Sequence, residues 1–315
     1  MASQSSETVD DQPAVVVGAD GSFASAAAVR WAAKEALCQD ARMRVVMARA
    51  DAPPERVLAP QPVWPLPIVN IRDDEAVEKA QRFMDEFVRN TVPADCRPEY
   101  DVVVRDGDPV EALIDEVRGV HAGLLVMGRR GLGGFASLML GSISDKCAAH
   151  APCPVMVVAG DPADRTTTVV VGVDGSAGST EAVEWAAQQA ADLAARLHVV
   201  GAWKAPIVVA DSVSSTLNLL NEGVEVYAAD ARKAVESALR RSEARFPSLD
   251  VSGDVVQGDA SVVLIEAAIQ AAPAVLVVGT RGRGGFKSLL LGSVAHQCLH
   301  HAKTPVVVVR PWTED

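Results

Sequence analysis

The stretch Val16–Ser22 reads VVGADGS, and it decides the fold because it returns as VVGVDGS at Val170–Ser176. Three further segments recur in the same order. They are WAA at positions 31 and 185, GRRGLGGF and GTRGRGGF at 128 and 279, and LGS at 140 and 291. The period of about 150 residues is far longer than the ~20–50 residues of a solenoid repeat, so the chain is a duplicated domain.

Each copy alternates short β-branched runs with helical patterns. Continuous apolar runs are typical of parallel strands that are covered on both faces. In α/β chains such runs and crossover helices form a doubly wound parallel sheet. The predicted strands are Ala14–Gly18, Val45–Ala48, Val102–Val104, Leu124–Met127 and Val155–Val158, then Val169–Val173, His198–Ala202, Val251–Val256, Val275–Val278 and Val306–Val309.

The predicted helices carry small residues on one face. Val29, Ala32, Ala33 and Ala36 recur at helical spacing, and Val183, Ala186, Ala187 and Ala190 repeat the pattern. Such a face suits close packing on a sheet. We therefore predict a disordered tail over 1–12, a first domain over 13–160, a linker over 161–167 and a second domain over 168–311.

Two segments interrupt the pattern at matching places. Pro53–Pro67 is rich in proline, and Ala205–Asn221 follows the second strand of the second copy. Both are predicted to be loops. A cover over a bound ligand and a solvated insertion without a role are both open interpretations of such a loop.

The composition excludes several classes of function. The 315 residues carry a formal charge of −12, which disfavours general binding to nucleic acid or to an anionic membrane surface. No apolar run reaches the ~18 residues of a membrane helix. The five cysteines form no CxxC, and the N-terminus lacks a signal-peptide pattern, so we predict a cytoplasmic protein. Cys147 and Cys298 are expected in the core, and Cys153 is expected to be more exposed.

A glycine constellation follows the fourth strand of each copy. It reads G-x2-G-x9-G-S from Gly128 to Ser142 and again from Gly279 to Ser293. Glycines let backbone N–H groups approach anionic oxygens, and a following helix adds its positive end. Ser142-x-x-Asp145 also resembles a capping box, which predicts a helix start. Arginines at 129, 130, 281 and 283 can offset phosphate charge.

These motifs resemble the ATP-binding branch of the universal stress protein family. The resemblance rests on the glycine constellation, on Asp20 and Asp174, and on the Pro-Val that opens each last strand, and it covers both halves of the chain. It implies tandem adenine nucleotide alpha hydrolase-like sheets with strand order 3-2-1-4-5, and one ATP in each. Since members of the family pair through their last strands, it also implies that Val155–Val158 pairs with Val306–Val309 within the chain, and a homodimer is expected.

The resemblance also implies the residues of each site. They comprise the end of the first strand, a residue of the second strand, the end of the fourth strand, and the phosphate loop with its helix start. Many members carry proline where Gly18 and Gly172 stand, which bears on the adenine contacts. With the nearby arginines, the predicted sites are Gly18, Ala19, Asp20, Ala48, Met127, Gly128, Arg130, Gly131, Gly141, Ser142 and Ile143, then Gly172, Val173, Asp174, Ala202, Val278, Gly279, Arg281, Gly282, Gly292, Ser293 and Val294.

Asp20 and Asp174 have two interpretations that are compatible with each other. An Asp-Gly-Ser after a strand forms a turn that caps the next helix, and the same carboxylate lies where a ligand or Mg²⁺ would bind. No general base recurs beside the glycine loops. A regulatory ATP-binding module with an unknown protein partner is therefore favoured over an enzyme. The alternatives are a slow ATPase, a nucleotidyl transferase, and a binder of cyclic AMP or another nucleotide.

Overall fold

The computed structural model describes residues 13–49, 74–129, 140–161, 165–204, 213–283 and 290–310. The predicted tail, the predicted loop Pro53–Pro67, Arg130, Gly131 and parts of the predicted linker and of both glycine runs lie outside these residues.

Strands and helices alternate through both halves of the chain. The strands are β1 Ala14–Gly18, β2 Arg42–Arg49, β3 Tyr100–Asp106, β4 Leu124–Gly128, β5 Val155–Val158, β6 Thr168–Val173, β7 Arg196–Trp203, β8 Val251–Gln257, β9 Ala274–Gly279 and β10 Val306–Val309. The helices are α1 Phe23–Cys38, α2 Asp74–Thr91, α3 Pro109–Gly119, α4 Ser142–His150, α5 Ala177–Asp192, α6 Val213–Arg245, α7 Ala260–Gln270 and α8 Ser293–His301. The predicted α/β class with parallel sheets is confirmed.

The ten strands form one sheet in the order β3-β2-β1-β4-β5-β10-β9-β6-β7-β8. Pairing within each half is parallel. At the centre β5 and β10 pair antiparallel, with Met156 opposite Val307. This is the intrachain pairing of last strands that was predicted, and it relates the two halves by a pseudo-two-fold axis.

Small residues let α1 and α5 pack closely on the sheet. Val29, Ala32 and Ala36 are buried, and so are Val183 and Ala186 in the second half. The predicted apolar faces are thus the ones that cover the strands. No helix among the described residues is both long and apolar enough to cross a membrane.

A buried polar contact joins α1 to α5 across the two halves. Glu35 is fully buried, and its Oε2 accepts a hydrogen bond of 2.5 Å from Nε2 of Gln189. Burial raises the pKa of Glu35 from 4.5 to about 7, although the hydrogen bond from Gln189 and the charge of Lys34 act in the opposite direction. The hydrogen bond itself favours the ionised carboxylate, but the cost of burying that charge is larger, so the folded protein is more stable when Glu35 is protonated.

Two arginines cap helices of the opposite half. The Arg129 guanidinium donates to the carbonyl oxygens of Leu299 and Ala302, at 3.0 and 2.8 Å, where α8 ends. The Arg310 guanidinium donates to the carbonyl oxygen of Ala149, at 2.5 Å, near the end of α4. Cations at helix C-termini are stabilising, so these contacts reinforce the central strand pairing.

Two sequence predictions are wrong. Part of the predicted loop Ala205–Asn221 is helical, since α6 begins at Val213. Past Pro206 this segment contains no proline that would end a helix. Cys153 is buried rather than exposed, because it lies two residues before β5, which is at the centre of the sheet. Cys147 and Cys298 are buried as predicted, and burial raises the pKa of each thiol to about 12.

Candidate functional site

The carboxyl ends of the inner strands meet the start of the last helix in each half. In the first half a cavity of about 110 Å³ lies there. The predicted site residues that line this cavity are Gly18, Ala19, Asp20, Ala48, Met127, Gly128 and Ile143.

In the second half the matching residues occupy equivalent places. Gly172 and Val173 end β6, Ala202 lies in β7, and Val278 and Gly279 end β9. Ser293 and Val294 open α8 after Gly292. The backbone positions of these residues are therefore repeated across the pseudo-two-fold axis.

Asp20 and Asp174 organise the turn that follows the first strand of each half. Each carboxylate accepts a hydrogen bond from the N–H two residues later, Ser22 at 3.0 Å and Ser176 at 2.9 Å. The Asp174 Oδ2 also accepts from the N–H of Arg283 at 2.8 Å. Burial raises the pKa of Asp174, but the bonds from Ser176 and Arg283 outweigh it, so this pKa is lowered overall. The carboxylate is therefore ionised and holds the glycine loop against the turn.

The glycine loops are closed at their bases by matching backbone hydrogen bonds. Gly141 N–H donates to the carbonyl of Arg129 at 2.8 Å, and Gly292 N–H donates to that of Thr280 at 2.7 Å. The N–H groups of Arg129 and Thr280 donate in turn to the last residue of β5 and of β10, both at 3.1 Å. The residue after each fourth strand is thus held close to the N-cap of the last helix.

The last helix of each half has no side-chain cap. Its N-cap is Gly141 in α4 and Gly292 in α8. The predicted capping box is therefore wrong in detail, because Ser142 is already the first helical residue and its hydroxyl is one position too late to cap. Ser142 and Ser293 are exposed. The first N–H groups of both helices, which receive no hydrogen bond acceptor from an N-cap side chain, and the positive dipole ends favour an anion at these points.

Gly128 and Gly279 lie at close approaches of the backbone. A Cβ on Gly128 would be 2.7 Å from the carbonyl oxygen of Ala24, and one on Gly279 would be 2.6 Å from that of Gly178. Both carbonyls belong to the first turn of the helix that follows the first strand. These glycines are therefore required to bring the strand end against that helix, apart from any contact with a ligand.

Gly279→Ala is expected to destabilise the protein by about 1–3 kcal/mol, the usual cost of overpacking a tight contact. The reason is that the neighbouring atoms belong to the backbone of α5 and cannot rotate away. Urea denaturation of the full chain measures the change. Gly119→Ala is the control, since a Cβ there meets no atom within 4 Å. Equal stability of the two variants would contradict the packing role of Gly279.

Gly18 and Gly172 each lie against a leucine of the neighbouring helix, which leaves little room for a side chain. A Cβ on Gly18 would be 3.2 Å from Leu113, and one on Gly172 would be 2.6 Å from Leu264. In both halves the leucine side chain reaches over the strand end. A Cβ at either position would require this side chain to shift.

The arginines near the loops have different surroundings. Arg281 is exposed and lies two residues after the end of β9. The Arg283 guanidinium pairs with Asp230 of α6 at 3.3 Å, and that of Arg129 caps α8. Arg281 is thus available to a ligand, whereas the prediction that Arg129 offsets phosphate charge is not supported by its position.

Sequence reasoning missed several residues of the first cavity. Ser144 is the clearest, because its Oγ donates to the carbonyl of Gly128 at 2.7 Å and ties α4 to the end of β4. Ala295 occupies the equivalent place in α8. Ser144 lies two residues after Ser142 and so on a different face of α4, which no local pattern singles out. Long-range folding brings in the others, namely Ser25, Val46, Pro109 and Leu113.

Comparison with known proteins gives consistent matches along the chain. The model of the Universal stress protein family matches residues 13–159 and again 166–310. A universal stress protein of Mycolicibacterium smegmatis is 31% identical over 309 residues, covering 94% of this chain and 97% of that protein. Universal stress protein Rv2005c of Mycobacterium tuberculosis is 30% identical over 307 residues, covering 95% and 97%. The crystal structure of a universal stress protein from Archaeoglobus fulgidus has a TM-score of 0.63 at 18% identity, covering 96% of this chain and 97% of that one, so it shares the fold.

Proposed function

This chain belongs to the universal stress protein family, and from that premise we propose that it binds one ATP in each half and acts as a regulatory module. In this proposal the bound nucleotide changes the surface offered to a protein partner. The proposal also includes the domain limits predicted from the sequence, a homodimer and a cytoplasmic location.

The observation that carries the proposal is the pair of uncapped helix starts, each facing a glycine loop pinned at its base. Gly141 and Gly292 contribute no side chain, so the first N–H groups of α4 and α8 are not used by a cap. Ser142 and Ser293 present exposed hydroxyls beside them. Backbone N–H groups, a hydroxyl and a helix dipole together favour a chain of phosphates.

The nucleoside end is proposed to lie among the strand ends. Gly18, Ala19 and Ala48 line the first cavity with Met127, and these residues leave an apolar slot beside Asp20. A flat base suits an apolar slot, and a carboxylate accepts hydrogen bonds from ribose hydroxyls. The cavity has a volume of about 110 Å³, so it is proposed to hold only the nucleoside end of the ligand.

A magnesium ion is compatible with the site, but it would have to share the carboxylate oxygens with hydrogen bonds that they already accept. Each oxygen of Asp174 already accepts a backbone hydrogen bond, from Ser176 and from Arg283. Mg²⁺ keeps most of its waters and takes one or two carboxylates together with phosphate oxygens. Asp20 and Asp174 would therefore contribute one of their remaining lone pairs each, and would supply charge compensation for the phosphates.

Identification of the nucleotide released from the purified full chain tests the proposal. We expect ATP or ADP to be released when the protein is denatured. We also expect ATP to displace the bound nucleotide better than cyclic AMP does, because cyclic AMP has no polyphosphate to place at the starts of α4 and α8. Hydrolysis is expected to stay well below about 1 s⁻¹, which is slow for an enzyme. Preferential binding of cyclic AMP would favour the alternative ligand, and fast turnover would favour an ATPase.

A further inference from the structure

We propose that Asp145, His296 and His300 form a binding site for a divalent transition metal ion, with Zn²⁺ as the best-suited metal. The site lies between α4 of the first half and α8 of the second. One carboxylate oxygen and one ring nitrogen from each histidine all lie within 4.8 Å of one another. Nothing in the proposed nucleotide sites uses these three side chains.

The two histidines are placed by helix geometry. They are four residues apart on α8, so their rings project from the same face, and the ring centroids are 4.2 Å apart. Two histidines at this spacing on one helix form a recurrent pair of zinc ligands. Their closeness would be unfavourable if both rings were charged, and a shared metal ion turns it into a stabilising arrangement.

Asp145 supplies the third ligand from α4, in the other half of the chain. Its Oδ1 is buried, and no group in the described residues donates a hydrogen bond to it. A buried carboxylate oxygen without a donor is costly, so an approaching cation is favoured there. The Arg129 guanidinium lies nearby, but it donates to the carbonyls at the end of α8, which compensates part of its charge.

The ligand set selects the class of metal. Two imidazoles and one carboxylate bind Zn²⁺ at about 2.0–2.2 Å and leave a fourth position for water. Atoms that share one such ion lie roughly 3–4 Å apart, so small side-chain rotations are sufficient to close the site. The pseudo-two-fold axis provides no second copy, because Ala149 stands where α8 has His300. One ion per chain is expected, and it would bridge the two halves.

Titration of the untagged, nucleotide-free full chain with ZnCl₂ tests the site. We expect one ion per chain, and a loss of affinity of at least about 100-fold in His296→Gln and in His300→Gln, since even groups behind the ligands are worth 10–100-fold. The neighbouring His301→Gln is the matched control and should bind as the wild type does. Unchanged affinity in either ligand variant, or an equal loss in the control, would overturn the proposal.

X-ray absorption at the zinc edge of the wild-type protein adds a measurement that needs no variant. We expect nitrogen and oxygen ligands with the signature of two imidazoles and no sulfur. Sulfur ligation would place the ion on the exposed Cys38 or Cys96 instead and would refute the site. Failure of zinc to bind would refute it as well, but would leave the proposed ATP sites untouched, because none of the three ligands belongs to them.

Discussion

Glu35→Gln is expected to make the protein more stable at pH 8, by an amount on the order of 3 kcal/mol, and to leave its stability near pH 4 almost unchanged. The wild-type Glu35 has a pKa of about 7 when folded, against 4.5 as its ordinary value. Between those two values the unfolded chain releases a proton that the folded chain keeps. The stability that Glu35 contributes is therefore complete below pH 4.5 and is lost as the pH rises to about 7.

The measurement is the free energy of unfolding of wild type and variant in urea, from pH 4 to pH 8. Subtracting the free energy of unfolding of the wild type from that of the variant at each pH cancels the contribution of all other titrating groups. Glu243→Gln, at an exposed position of α6, is the control and should follow the wild type at every pH. If the difference between wild type and Glu35→Gln were constant with pH, Glu35 would not change protonation in this range, and its role between α1 and α5 would need another explanation.

The double variant Ser142→Asp, Ser293→Asp is expected to lose ATP binding at both sites while remaining folded. Two like charges about 4 Å apart repel by ~4 kcal/mol near a protein surface, so the affinity of each site for ATP should fall by roughly a thousandfold. Both serines are exposed first residues of their helices. A carboxylate there is favourable for the helix itself, by roughly 0.3–1 kcal/mol.

The single variants and a neutral change serve as controls for this prediction. Ser142→Asp alone should remove one site and leave the other, and Ser293→Asp should do the reverse. Ser142→Ala loses only a hydroxyl and should weaken its site by no more than about tenfold, the value of one hydrogen bond. Calorimetric titration with ATP, together with thermal unfolding, separates loss of binding from loss of folding. ATP binding that survived the double variant would show that phosphates do not lie at these helix starts.

The parts of the fold that were predictable are those where one kind of residue repeats without interruption. The apolar runs of β1, β5 and β10 gave their bounds directly, because these strands are buried on both faces. The second strand was predicted too short, as Val45–Ala48. Arg44 lies inside β2 because its guanidinium pairs with Asp101 on the neighbouring strand at 2.8 Å, and no local pattern reveals such a partner.

The positions of the site that need glycine could be predicted from the sequence. Contacts between residues that are far apart in sequence could not. The glycine spacing marked where β4 and β9 end and where α4 and α8 begin. The reason for Gly279 could not be read from it, since the nearby carbonyl belongs to Gly178, far away in sequence. The same holds for the bond from Arg283 N–H to Asp174, which crosses from one loop to another.

Equilibrium titration of the nucleotide-free full chain with ATP tests the central claim most directly, because it counts the proposed ATP sites. We predict two ATP molecules per chain for the wild type, one for each single aspartate variant and none for the double variant. The account would be contradicted if no ATP bound at millimolar concentration. It would also be contradicted if the number of bound ATP molecules stayed the same in the Ser142 and Ser293 variants.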